Sequence, residues 1–213
     1  MIQGLTLLIQ ELTITSNIGK QKMSKKVVIL NCPPRSGKDT IALEIAKRCE
    51  DFTILSFKYK LIEIALTVSG LKKEEWMVRY ESNKKEEPWE KLGGLSQRNY
   101  LIKISEEWVK PVHGKTYFGD RVLEDIQRHE NNSFIIPDGG FEEEVQPLYK
   151  ALGENLLILQ WDRKGCTFEL DSRDWIETYP HITRRIRSNN TTIKDQVDEV
   201  ARQIENAFGE NNV

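Results

Sequence analysis

Apolar positions along this chain fall into short unbroken runs that alternate with stretches of helical period. Val27-Val28-Ile29-Leu30 is one such run, as expected of a strand buried on both faces. A turn rich in Pro, Ser and Gly follows it, and a helical pattern opens at Lys38. Residues 53–57 read as a second strand, with a mostly buried helix over 58–69. A third strand over 133–136 ends at Pro137-Asp138. After it, Phe141, Val145, Leu148 and Leu152 recur at helical spacing on one face. Residues 155–161 hold a continuous apolar run, and 182–188 read as a final strand. Ile193, Val197, Val200, Ile204 and Phe208 then mark a terminal amphipathic helix, with Thr191 or Thr192 as its cap.

Strands alternating with helices predict an α/β fold with a parallel five-stranded sheet and right-handed crossovers. A long insertion separates the second and third strands, about residues 70–130. It reads as helical: Leu101, Ile104 and Trp108 share one face, as do Phe118, Val122 and Ile126. Its early part, 72–94, is charged and contains Pro88 and Gly93-Gly94, the pattern of a solvated face or mobile loop. Residues 1–22 precede a second Met at position 23 and read as an accessory arm or a misassigned start. The alternation of Leu5, Leu7, Ile9, Leu12 and Ile14 allows a short edge strand there. The main domain is then 23–213, with a lid at about 162–178.

Composition narrows the function classes. The chain has 213 residues, enough for one sizeable core, and 30% of them are charged. A net charge of −2 provides no basic field for nucleic acid or an anionic membrane. No apolar run is long enough to span a bilayer, and residues 1–21 lack the pattern of a secretory signal. Cys32, Cys49 and Cys166 have no metal-ligand spacing, and their odd number argues against a disulfide framework. A reducing cytoplasm is the expected compartment.

The candidate chemistry lies in Cys32-Pro33-Pro34-Arg35-Ser36-Gly37-Lys38-Asp39-Thr40. A strand, a Gly-containing turn, a Lys and a helix start make the context of a phosphate-binding loop. Backbone N–H groups in such a loop form an anion nest, and the helix points its positive end at the phosphates. Lys38 would reach the β- and γ-phosphates as a point charge. The usual pattern is G-x-x-x-x-G-K-[ST]. Here Cys32 replaces the first Gly, Asp39 takes the Ser/Thr position, and Thr40 follows one residue later. The second change resembles adenylate kinase and its relatives, whose loops read G-K-x-T. A chance Gly-Lys at a helix start is the bland alternative.

Phosphoryl transfer needs positive charge around the migrating group. Arg35, Arg98, Arg163 and Arg173 are the candidates, since each follows a strand or opens a helix. Asp138 ends a strand at the edge where ligands of parallel sheets bind. It would orient Mg²⁺ through water, act on an acceptor, or serve as a simple turn aspartate in Pro137-Asp138-Gly139-Gly140. Arg184-Arg185-Ile186-Arg187 reads as a polar strand edge, and His113, His129 and His181 are scattered.

The loop Arg35-Ser36-Gly37-Lys38-Asp39-Thr40 resembles that of the bacteriophage deoxynucleoside monophosphate kinases, relatives of adenylate kinase within the P-loop NTPase three-layer sandwich. Weaker echoes follow in order: Ser56-Phe57-Lys58-Tyr59-Lys60-Leu61, then Ser96-Gln97-Arg98 with Glu106-Glu107-Trp108, then 138–144, then Asp171-Ser172-Arg173. The resemblance spans roughly residues 25–208. It implies ATP on Pro34, Arg35, Ser36, Gly37, Lys38, Asp39 and Thr40, with Asn189 near the adenine. It further implies that Arg98 holds the acceptor phosphate and that Arg173 closes over the transfer. Mg²⁺ would be held by the ATP phosphates, with Thr40 and Asp138 assisting through water. Partners would be small nucleotides, with a homodimer open, in the cytoplasm (of the host cell, if phage-encoded). Two departures stand out: Cys32 for a loop Gly, and Gly140 where Asp-x-Arg-Phe of the family has Arg. They keep open a catalytically weak nucleotide-binding protein, or a kinase for another phosphorylated acceptor.

Overall fold

A computed structural model describes residues 25–49, 51–82, 84–131, 133–169, 171–186 and 192–209. The 1–22 arm with its edge strand, Asn189 and Thr191 lie outside the described residues. Five strands form one sheet: β1 (Lys26–Leu30), β2 (Phe52–Ile54), β3 (Ser133–Ile136), β4 (Leu156–Trp161) and β5 (Thr183–Ile186). Their order is β2-β3-β1-β4-β5, with every neighbouring pair parallel. Val27 aligns with Phe134 on one side and Leu156 on the other.

Alternation along β1 sends side chains to opposite faces. Val28 and Leu30 pack with Ile41 and Ile45 of α1 (Lys38–Arg48), while Val197, Val200 and Ile204 complete that layer from the last helix. Val27 and Ile29 face the other way, into a cluster with Val122, Ile126, Val145 and Leu148. The molecule is therefore a three-layer α/β sandwich with a parallel five-stranded sheet at its centre.

The insertion between β2 and β3 carries α2 (Lys58–Ser69), α3 (Lys73–Glu81), α4 (Gln97–Lys103), α5 (Lys110–His113) and α6 (Tyr117–Arg128). The chain then continues through α7 (Glu142–Leu152) and ends in α8 (Ile193–Phe208). Of the two candidate caps of α8, Thr192 does the work: its hydroxyl accepts from Asp195 N, and its own N–H donates back to Asp195 Oδ2 at 2.9 Å.

Three expectations need correction in whole or in part. Of the two readings of the charged stretch 72–94, the solvated face holds and the loose loop does not, because α3 buries Trp76 completely, with Trp89 and Tyr100 rings 6.5 and 6.4 Å away. The charges sit on its outside. Trp108 does not share a face with Leu101 and Ile104: it is 43% exposed, and Val109 is buried instead. The cause is a π-helical segment, Ile104–Val109, joining α4 to α5. Its wider turn shifts the register by one residue, so the buried partner of Ile104 lies five positions on. β2 also ends at Ile54, leaving Ser56 and Phe57 to a turn. Among the described residues no helix is long and apolar enough to cross a membrane.

Candidate active site

The loop after β1 runs from a buried strand end into the N-terminus of α1. Ser36 N donates to Pro33 O at 3.3 Å, closing a turn. Arg35 has φ 65° and Gly37 φ 94°. Arg35 is the one non-glycine with positive φ among the described residues. A left-handed arginine costs about 1–2 kcal/mol, and such strain collects at functional sites. Left-handed residues of this kind belong to the backbone pattern of a nest, a concavity that can bind an anion. Among the described residues Ser36 Oγ, buried in this loop, has no hydrogen-bond partner.

Lys38 is only 4% exposed, and its Nζ donates to Pro33 O at 3.3 Å and lies 4.0 Å from Asp39 Oδ2. Burial pushes this ammonium below its ordinary range, with Asp39 pulling it back. Asp39 and Thr40 are exposed in the first turn of α1, and the Arg35 side chain is exposed at the loop tip. Cys32 does not need the conformational freedom of glycine: its φ is not positive. Its side chain packs into the core beneath the loop, with Sγ 3.8 Å from Leu159 O. The thiol is fully buried, and burial pushes it above its ordinary range.

Asp138, just past β3, accepts from Ser56 Oγ at 2.6 Å and from the N–H groups of Phe57 and Lys58 at 3.2 Å each. Those bonds place its negative charge at the N-terminus of α2, where the helix dipole favours it.

Arg173 is gripped by Asp171 through Nε and Nη2, both at 2.9 Å, in the bidentate geometry that suits guanidinium. Arg98, second residue of α4, reaches the same carboxylate at 3.2 Å. Burial works against the Asp171 charge. The hydrogen bonds from Arg173 and then Arg98 outweigh it and hold the carboxyl far below its ordinary range. The two arginines that the sequence set 75 positions apart therefore meet on one carboxylate.

The segment that bears Arg173 is tied to the sheet by buried amides. Asn31, at the end of β1, donates to Asp174 O at 2.9 Å and Gly139 O at 3.2 Å. Its Oδ1 accepts from Ile176 N and from Gln160 Nε2, both at 2.8 Å. Gln160 also donates to Ile176 O at 2.9 Å. Gly140 admits Arg173: a β-carbon there would stand 2.4 Å from Arg173 Cβ. The position expected to hold arginine is thus glycine because another arginine's stem occupies the space.

Beside the loop opens a cleft of about 500 Å³, lined by Pro33, Arg163, Cys166, Phe168, Trp175 and Arg185, among others. The Arg163 guanidinium comes within 3.4 Å of where a β-carbon on Gly37 would stand, so it overhangs the loop. Arg185 lies 4.8 Å from the Trp175 ring centre, and Phe168 meets the same ring edge-on. Among the described residues no group of three His, Cys, Asp or Glu could hold a metal ion.

Lys38, Asp39, Arg98, Asp138, Arg163 and Arg173 thus gather at the carboxyl edge of the sheet. Lys58, Asp171, Asn31, Gln160 and Glu144 join them without having been singled out as site residues. Asn31 and Gln160 carried a readable signal, since each is an amide within or beside an otherwise apolar strand. Glu144 in α7 is 6% exposed, and burial, with Asp138 adding to it, pushes its carboxyl up to about 8.

No known family matches this chain, and no curated protein is similar to it in sequence. Among solved structures, it is similar to a gluconokinase from Sinorhizobium meliloti, with 11% identity and a TM-score of 0.41, covering 90% of this chain and 100% of that one. A thymidylate kinase from Candida albicans gives 15% identity and a TM-score of 0.42, covering 87% and 94%. A hexameric APS kinase from Thiobacillus denitrificans gives 10% and 0.38, covering 88% of this chain and 30% of that one.

Proposed function

We propose that this chain is a kinase that transfers the γ-phosphoryl group of ATP to a deoxynucleoside monophosphate. The observation that carries the reading is the loop: a strained left-handed Arg35, Gly37, an unpartnered Ser36 Oγ and the buried Lys38 all at one helix N-terminus. Gly37 adopts its positive φ freely, but the other three are unfavourable in the protein alone and are explained by a bound polyphosphate. When bound, ATP with Mg²⁺ supplies the phosphoryl group and the divalent charge that offsets the phosphate oxygens.

The chain's own part is binding, positioning and charge. The loop amides and Lys38 hold the triphosphate, and Arg163 covers it from the cleft side. Thr40 is the hydroxyl suited to the metal. Asp138 spends three of its about four lone-pair sites on Ser56, Phe57 and Lys58, which leaves one for a metal-bound water. Arg98 and Arg173 bring two guanidinium groups to the acceptor side, where bidentate contact suits a phosphate monoester. No covalent enzyme intermediate is needed.

The test is ADP release from Mg-ATP with each deoxynucleoside monophosphate, with Lys38→Ala as control. Turnover that depends on a monophosphate and disappears in the variant supports the reading. ATP binding without turnover across the panel contradicts it and favours a nucleotide-binding protein of another role.

A further inference from the structure

Trp161 is the last residue of β4, the strand that pairs with β1. Its side chain is 1% exposed and belongs with Cys32, Ile41 and Ala42 to the core beneath the loop. The indole has one polar group, the Nε1–H donor, and a buried indole N–H calls for an acceptor. It donates to Ser36 O at 3.3 Å.

Ser36 stands between Arg35 and Gly37, the two left-handed residues of the loop. A strained backbone persists only where its surroundings over-determine it. Ser36 is held at both ends: its N–H donates to Pro33 O within the loop, and its carbonyl accepts from Trp161 outside it. The 36–37 peptide is trans, so its C=O and N–H share a plane and point in opposite directions. With Ser36 O fixed on Trp161, the Gly37 N–H is turned away from that ring. It donates to no backbone carbonyl among the described residues, and it immediately precedes α1. Half a turn of this peptide would reverse the pair and present a carbonyl where an anion needs a donor.

We propose that Trp161 is a positioning residue for phosphate binding: its indole N–H holds the 36–37 peptide with the Gly37 N–H aimed at the phosphates before any nucleotide arrives. Preorganisation of this kind raises affinity by removing the cost of ordering the loop on binding. The assignment rests on the kinase reading for its ligand, but it can be tested without turnover. Trp161→Phe removes the donor and also leaves a cavity in the core. A second variant therefore carries benzothienylalanine at position 161, in which sulfur stands in place of the N–H and the shape of the ring system is kept. Mg-ATP and magnesium tripolyphosphate, which has no base, are each titrated into the full chain of wild type and both variants. The titrations are made well below melting, where a loss of stability alone leaves affinity unchanged. ADP release with the deoxynucleoside monophosphates is followed in parallel.

The benzothienyl protein is expected to bind both ligands about five- to tenfold more weakly, the value of one hydrogen bond. The factor should be the same for each ligand, and Trp161→Phe should lose at least as much. Affinities within about twofold of wild type in the benzothienyl protein overturn the assignment and leave Trp161 a core residue whose donor is merely satisfied. A loss for Mg-ATP that tripolyphosphate does not share puts the effect at the base and also overturns it. Wild-type protein that binds neither ligand overturns it together with the kinase reading. Polyphosphate binding that depends on the Trp161 donor, in a protein without turnover, leaves the assignment standing and overturns the kinase reading alone.

Discussion

The stem of Arg173 lies directly on Gly140: a β-carbon at 140 would meet Arg173 Cβ, Cγ and Cδ at 2.4, 2.7 and 2.8 Å. The two residues are also joined through the backbone, since Asp174 N donates to Gly140 O at 3.0 Å. Gly140→Ala should therefore push Arg173 off its mark. An ångström of misplacement at a reacting centre is worth up to about a hundredfold in rate. Turnover is expected to fall at least tenfold by that reasoning, with ATP affinity unchanged. Steady-state kinetics beside ATP titration check it; an unaltered kcat would remove Arg173 from the transfer.

Asp171 holds Arg98 and Arg173 together, and its side chain is 3% exposed. Asp171→Asn removes the charge that both guanidinium groups share. The variant should lose stability and show a lower kcat than wild type at saturating ATP. The sign with pH follows from a folded pKa below the unfolded one. The stabilisation is complete above about pH 4, the unfolded range. It is lost as pH falls further towards the folded pKa. Acid unfolding of the variant compared with wild type is the measurement, and the variant should lack that part of the acid limb.

Glu144 behaves in the opposite sense. Its carboxyl rises from 4.5 to about 8 on folding, because of burial first and Asp138 second. The folded state then holds a proton that the unfolded state releases. Stability from this group is full below about pH 4.5 and is lost as pH rises to about 8. Glu144→Gln should flatten that decline in a series of denaturant unfolding curves between pH 5 and 9, values set by the two pKa limits. A decline identical to wild type would show that the carboxyl is already ionised in the fold.

Asn31 accepts or donates at four partners beneath the segment that bears Arg173. Asn31→Ala would strand Gln160 and the 174–176 backbone without those partners. The expected loss is about 2–4 kcal/mol in chemical denaturation, with a larger fall in kcat than in ATP affinity. Equal losses in both would make Asn31 a general core residue.

The strands and the loop were legible because their signals are local. Four apolar residues in Val27–Leu30, a Gly-Lys pair and a helical pattern are all contained within a few turns of chain. The hidden parts depend on distant pairings. Nothing near Gly140 announces that Arg173 will fill its space, and nothing near Asp171 announces Arg98. Trp108 was misplaced because the π segment alters the helical period itself, and Ile104–Val109 carries no Pro or Gly to mark it. Trp76 was missed because the charges around it describe only the outer face of α3. Cys32 looked like a defect under a pattern that values glycine for its φ, whereas at this position the chain asks only for a small core side chain.

The central claim is that the buried Lys38 is kept for a polyphosphate. Lys38→Met tests it most directly, because removing a desolvated charge should favour the protein alone while abolishing its use. The measurement is melting temperature with and without Mg-ATP. The account predicts that the variant, without nucleotide, melts at or above the wild-type temperature, and that Mg-ATP raises the melting temperature of wild type only. A variant that is stabilised by Mg-ATP as strongly as wild type would contradict it.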